Sequence, residues 1–207
     1  HENLTLSVEG YYKRMRNLPL IYDSDDFLLS NGGFIYGTGR AFGIEAMLQY
    51  QTERLSLTAS YTYTDSRRRS DGVTYPFEYD VPHDFNAFVS YDVVKRPGRK
   101  HTFSLNVAWR SGLPYRLTNE SYPDTDGNPI IGITAYPTMR MHNYFRADVS
   151  YNMERRKRNG VRNWQFSIIN ATWHKNPVSI YPYRGSYKAT VLIPIMPSVS
   201  YTRTFGK

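Results

Sequence analysis

The segment Leu55 to Thr64, LSLTASYTYT, alternates apolar or aromatic residues with Ser and Thr without a break. Successive side chains of a strand point to opposite faces, so strict alternation sorts the residues onto two surfaces; a helix, with its period of about 3.6, cannot do this. The same pattern recurs and predicts strands near residues 3–14, 40–51, 55–66, 84–95, 101–112, 143–154, 163–173 and 189–205. Each runs to about ten residues or more, against about 5–6 for a usual globular strand and about 9–11 for one that crosses a bilayer at a tilt.

Comparing the two faces shows what each can meet. One carries Leu4, Leu6, Val8 and Tyr12, then Phe42, Ile44, Ala46, Leu48 and Tyr50, then Leu55, Leu57, Ala59, Tyr61 and Tyr63. It continues through Phe85 to Val93, Phe103 to Trp109, Phe145 to Met153 and Trp164 to Ile168, taking alternate residues, without a charge. The other face holds Ser, Thr, Asn and Gln together with Glu9, Glu45, Asp84, Asp92, Arg110, Arg146, Asp148 and Glu154. Aromatics of the apolar face gather toward the strand ends with aliphatics between, the distribution a bilayer favours because amphipathic rings prefer its interfaces. A soluble antiparallel sandwich also alternates, but accounts for neither the girdles nor the strand length. Arg203 is the one charge expected on the apolar face of the last strand, placed where its stem can snorkel to an interface.

The connections differ in length by side. Thr52 to Arg54, Arg96 to Lys100 and Arg155 to Asn163 are short; Asn17 to Gly39, Arg67 to His83 and Leu113 to His142 are long, and only Arg184 to Lys188 is expected to be short on the long-loop side. Short turns on one side and long loops on the other are the habit of outer-membrane barrels. With 19 Tyr, 10 Phe, 14 Gly and 12 Pro in 207 residues, composition favours strands and turns; the absence of Cys excludes disulfides and thiolate metal sites. No apolar run is long enough for a transmembrane helix, a test that barrel strands do not register on. The chain opens on HENLTLSVEG, already in strand pattern, which reads as an internal or processed start.

Seven runs carry a family resemblance: YYKRMRNLPL (Tyr11 to Leu20), GTGRAFGIE (Gly37 to Glu45), ASYTYTDSRRR (Ala59 to Arg69), YDVPHDF (Tyr79 to Phe85), WRSGLPY (Trp109 to Tyr115), HNYFRADVS (His142 to Ser150) and IPIMPSVSYTRTF (Ile193 to Phe205). Together and in this order they resemble the C-terminal part of TonB-dependent outer-membrane receptors of the kind found in Bacteroidetes-type bacteria. The resemblance implies an all-β fold, an antiparallel transmembrane β-barrel of about 22 strands of which residues 1–207 supply about eight, the lumen being closed by a plug outside this chain. It implies active import of a nutrient across the cell outer membrane, with no enzymatic step and no cofactor. The implied partners are the rest of the barrel and the plug, the TonB energising complex acting through the plug, outer-membrane lipids and lipopolysaccharide, and a surface lipoprotein. A self-contained small barrel with a structural, adhesion or hydrolase role is the alternative.

The net charge of +8 is concentrated in basic clusters at strand ends. Lys95 to Lys100 and Arg155 to Arg162 belong to the short-turn rim beside phospholipid headgroups, and Lys13, Arg14, Arg16 and Arg67 to Arg69 to the opposite rim, where lipopolysaccharide phosphates could pair with them. Nucleic acid is not expected, because the aromatics that would stack on bases lie on the lipid side. Long loops and luminal polar residues are where such a chain would hold a ligand, which makes Tyr36, Arg40, Arg68, Tyr79, Tyr115, Arg116, Tyr136 and Arg140 the candidate contacts. Asp124 to Asn128 and Asp23 to Asp26 have oxygen ligands at alternate positions but lack the distal Glu of a calcium loop, and no metal is assigned to them. His83 and Asp84, with Asp80 nearby, would be half of a hydrolytic site, with no nucleophile specified.

Overall fold

The computed structural model describes residues 3–20, 35–70, 72–116, 118–123, 129–133, 136–183 and 186–205. In chain order the strands are β1 Leu4–Leu20, β2 Ile35–Gln51, β3 Leu55–Ser70, β4 Val73–Pro76, β5 His83–Arg96, β6 Arg99–Arg110, β7 Pro114–Tyr115 and β8 Thr118–Pro123. They continue with β9 Pro129–Ile133, β10 Met139–Arg140, β11 Tyr144–Lys157, β12 Gly160–Ile169, β13 Pro177–Tyr183, β14 Ser186–Val191 and β15 Met196–Thr204. No helix occurs among the described residues, and every pairing is antiparallel.

One sheet forms the wall, in the order β1, β2, β3, β5, β6, β11, β12, β15, with β4 folded back on β3. It is open: among the described residues β1 pairs only with β2, and β15 only with β12. Three small hairpins stand apart, β7 with β10, β8 with β9 and β13 with β14. The first seven wall strands match the expected ones with shifted ends: β1 and β2 run to 17 residues each and β3 to 16, β6 keeps its length two residues earlier, and β12 starts at Gly160 and stops at Ile169, short of the expected 173. At the short-turn rim the added residues are the charged ends. Arg155, Arg156, Arg162, Arg96 and Arg99, expected in turns, are paired strand residues; the turns themselves need only Pro97 with Gly98 and Arg158 with Asn159. Gly98, at a φ of 71°, takes the left-handed backbone that such a tight reversal requires.

The expected eighth strand, 189–205, is two. Its first part belongs to β14 and pairs with β13, while its second is β15 on β12. Between them Pro194 interrupts the ladder, since proline has no N–H to give. The last connection on the long-loop side is therefore an excursion containing the β13–β14 hairpin, not the short turn that Arg184 to Lys188 suggested.

Register turns alternation into rows that cross the sheet. On the apolar face Val8, Ala46, Tyr61, Phe85, Trp109 and Phe145 stand opposite one another in succession. The next row toward the short turns is Leu6, Leu48, Ala59, Ala87, Val107 and Ala147, and the one after is Leu4, Tyr50, Leu57, Val89, Leu105, Val149 and Ile168. Then come Leu55, Tyr91, Phe103, Tyr151, Phe166 and Val199. Two mainly aliphatic rows thus lie between two aromatic ones. No described residue packs over this face as a second layer: among the described residues the sole buried hydrophobic side chain is Ala147, whereas Leu6 is 67% and Val8 64% exposed. A soluble sandwich would bury such rows against a second sheet, at about 25 cal/mol per Å² gained. Here the apolar surface needs a medium outside the protein, as a membrane wall does.

Candidate ligand vestibule

The polar face leads upward, past the aromatic row, to the long-loop end. There β3 continues through Ser66 to Ser70 and is joined by β4, with Arg68 directly opposite Tyr75. The Arg68 guanidinium lies 4.0 Å from the centre of the Phe77 ring, which meets Tyr79 edge to face at 5.4 Å. Tyr75 packs on Tyr136 at 4.4 Å, and Arg116 is close enough to favour the Tyr75 phenolate. Burial, reinforced by Tyr136, nevertheless pushes the Tyr75 phenol above its usual range, and burial draws the Arg68 guanidinium below its own despite Tyr75 and Glu78. Nη1 of Arg68 is buried and lacks a hydrogen-bond partner. An orphaned donor on a cation is costly, which sets Arg68 apart from the other arginines of the cluster.

Asp80 locks this cluster to the loop after β6. At 2% exposed it accepts the Ser66 N–H at 2.7 Å, while Arg140 pairs with its carboxylate and donates to its backbone carbonyl at 2.9 Å. Arg140 also donates to the Gly112 carbonyl at 3.2 Å. Gly112 has no room for a side chain, as a Cβ would fall 1.7 Å from the Met141 carbonyl oxygen. Tyr115, paired with Met139, donates its hydroxyl to the Ile180 carbonyl and so joins the β7–β10 ladder to the β13–β14 hairpin. Asn176 anchors that hairpin: its amide both accepts from and donates to the Phe145 backbone, each at 2.9 Å, as a strand neighbour would. Asp148 holds Arg146 through Nε at 2.8 Å and receives the Asn170 N–H at 2.8 Å where the chain leaves β12.

Six of the eight expected contacts, Arg68, Tyr79, Tyr115, Arg116, Tyr136 and Arg140, therefore belong to this one loop assembly, either in the Arg68 cluster or in the Arg140 and Tyr115 ties. Tyr36 and Arg40 do not. Both alternate in phase with Phe42 and Ile44, which places them on the apolar face. Arg40 stands there between Arg14 and Arg67, and a cleft of about 510 Å³ is lined by Arg14, Arg16, Arg40, Arg67, Arg68 and Arg69 among others. Counting the alternation of β2 back from Phe42 would have found this. Nothing local in the sequence marks Asp80, Asn170 and Asn176 as anchors, because distant segments bury them.

The proposed half of a hydrolytic site is not assembled. His83 faces the aromatic row, its Nδ1 sharing a hydrogen bond of 2.7 Å with the Tyr61 hydroxyl, while Asp84 points to the polar face opposite Arg110. Asp80 is already engaged by Arg140. No group of three or more potential metal ligands occurs among the described residues, and Asp23 to Asp26 and Asp124 to Asn128 lie outside them.

Against known families, residues 1–174 match the family model described as TonB dependent receptor-like, beta-barrel. No curated protein and no solved structure matches the chain.

Proposed function

Because the chain belongs to the TonB-dependent receptor-like β-barrel family, whose members are outer-membrane transporters working with a plug and TonB, we propose that it forms wall and outer vestibule of a nutrient importer. The observation that carries this reading is the single open sheet whose uncovered apolar face is ordered into aromatic and aliphatic rows. Its two free edges support the view that these strands are the C-terminal eight or so of a larger barrel, with the plug borne by another part of the protein. An unpaired backbone group in hydrocarbon costs several kcal/mol, so β1 and β15 need neighbours. They suit each other poorly, at 17 and 9 residues, which disfavours the small self-closed barrel. The resemblance of the seven runs supports a receptor of the Bacteroidetes type, a setting in which a surface lipoprotein would cap the vestibule.

The nutrient is a polar or anionic molecule, met by Arg68 and Arg116 with Tyr79 and Tyr136 as stacking surfaces, while Arg140 and Tyr115 hold the loops behind them through Asp80 and Ile180. The arginine cleft on the apolar side of the same rim, around Arg14, Arg40 and Arg67, takes lipopolysaccharide phosphates instead. The test is uptake of candidate nutrients by cells with and without TonB, followed by binding to the purified receptor. Uptake should require TonB, and Arg68→Gln should weaken binding about tenfold, the worth of one charge-assisted hydrogen bond. Uptake indifferent to TonB would overturn the proposal.

A further inference from the structure

At the short-turn end of the wall, five arginines stand in one transverse row. Arg96 is directly opposite Arg99, Arg99 opposite Arg155, Arg155 opposite Arg162 and Arg162 opposite Arg203, so the row crosses β5, β6, β11, β12 and β15 without a gap. Each lies two residues beyond a member of the preceding row, Val94, His101, Met153, Trp164 and Tyr201, and shares its face, a register shift between Asp92 and Val94 bringing Val94 and Arg96 of β5 into phase with that row. The five are therefore on the apolar side. All are exposed, and none pairs with a carboxylate among the described residues. The acids of these strand ends face the other way: Asp92, held by Lys100 at 3.2 Å, and Glu154 opposite Lys100.

Side chains directly opposite one another in an antiparallel ladder have Cβ atoms about 4.5–5.5 Å apart, and like charges so placed repel. Five in succession, with no carboxylate paired to them among the described residues, make a surface completed by anions. Its position says which. The row begins where the aromatic and apolar rows end, on the side that meets lipid, at the depth of headgroups. Guanidinium forks bind phosphate through paired hydrogen bonds, which a lysine row would not do. At the β12–β15 end the row opens into a cavity of about 350 Å³ lined by Lys157, Arg158, Asn159, Gly160, Arg162 and Arg203, adding two further cations.

We propose that this row is a binding site for anionic phospholipid of the periplasmic leaflet, phosphodiester groups seating between neighbouring guanidiniums. The proposal rests on the reading above, in which the apolar face meets lipid and the short turns are periplasmic. The experiment titrates the full receptor, purified in detergent, with phosphatidylglycerol, phosphatidylcholine or inorganic phosphate, and counts bound molecules by native mass spectrometry. The unaltered receptor should favour phosphatidylglycerol over phosphatidylcholine by about tenfold or more, because the basic row attracts a lipid with a net negative charge. Combined Arg99→Gln, Arg155→Gln and Arg162→Gln should abolish that preference, and the same three changed to Lys should keep part of it. Should the triple Gln variant lose heat-modifiable mobility, and so its fold, Arg155→Gln alone carries the test and should reduce the preference. Equal binding of the two lipids, a preference untouched by the Gln changes, or displacement of the lipid by an equal concentration of phosphate would each overturn the assignment. TonB-dependent uptake, measured in parallel, separates the two readings. Intact uptake without lipid preference sinks the phospholipid site alone, whereas labelling of Asn159→Cys by an impermeant reagent on intact cells would overturn the orientation under both.

Discussion

Asp80 shows how much one residue can organise at the vestibule. It is nearly the most buried polar side chain described, and it is reached from two directions, by the Ser66 N–H of β3 and by Arg140 of β10. Asp80→Ala would leave both donors short of an acceptor, a loss of about 1–3 kcal/mol. It should speed protease cutting between Gly72 and Pro82 while leaving the barrel's heat-modifiable mobility intact; equal cutting rates would show that the tie holds nothing. Gly43 makes the complementary case for space. A Cβ there would lie 2.5 Å from the Tyr63 carbonyl oxygen and 2.7 Å from the Tyr11 ring, whose hydroxyl is bonded to Thr64 at 2.8 Å. Gly43→Ala should therefore destabilise the wall by about 1–3 kcal/mol in urea unfolding from vesicles, and Tyr11→Ala should not rescue it, because the backbone carbonyl stays in the way. Tyr11 and Gly43 are one residue out of phase with Tyr12 and Phe42, which puts them on the polar face. That Tyr11 packs over Gly43 is a matter of register between strands, which no single segment encodes.

At the scale of elements, the wall was legible and the loops were not, for one physical reason. A wall strand is specified by a period of two repeated over ten or more residues, so β1, β2, β3, β5, β6, β11 and β12 announce themselves; their ends drift because charged residues at a rim pair as readily as they turn. The β13–β14 hairpin has no such period. It is held by Asn176 mimicking a strand neighbour to Phe145 and by Asn170, in left-handed backbone at a φ of 53°, donating to the His174 carbonyl at 2.8 Å. Asn176→Asp would keep the acceptor and remove the donor, so the hairpin should loosen by about 1–3 kcal/mol and become a protease target, with β12 and β15 still protected. The two faces of a wall strand make a sharper test. Leu105→Arg puts a charge in an aliphatic row and should cost about 2–4 kcal/mol in refolding into bilayers, whereas Ser104→Arg, one residue away on the polar face, should cost little. Equal costs would mean that the apolar face does not meet lipid.

The whole molecule is governed by its two edges. The eight wall strands form one sheet whose outer edges run along β1 and β15, and in hydrocarbon the free N–H and C=O groups of those edges have no water to turn to. The edges are unequal as well as unpaired, since β1 spans 17 residues and every residue of the 9-residue β15 is exposed. Closing one on the other would leave the long-loop half of β1 without a partner, whereas pairing each with a further strand satisfies both. This chain alone, refolded into detergent or vesicles, should accordingly give no species whose gel mobility changes on heating, and should aggregate through its edges instead. A larger barrel containing the same residues, as proposed, should give such a species. A compact, heat-modifiable form of the 207-residue chain would mean that β1 and β15 do close, and the larger barrel would then lose its main structural support.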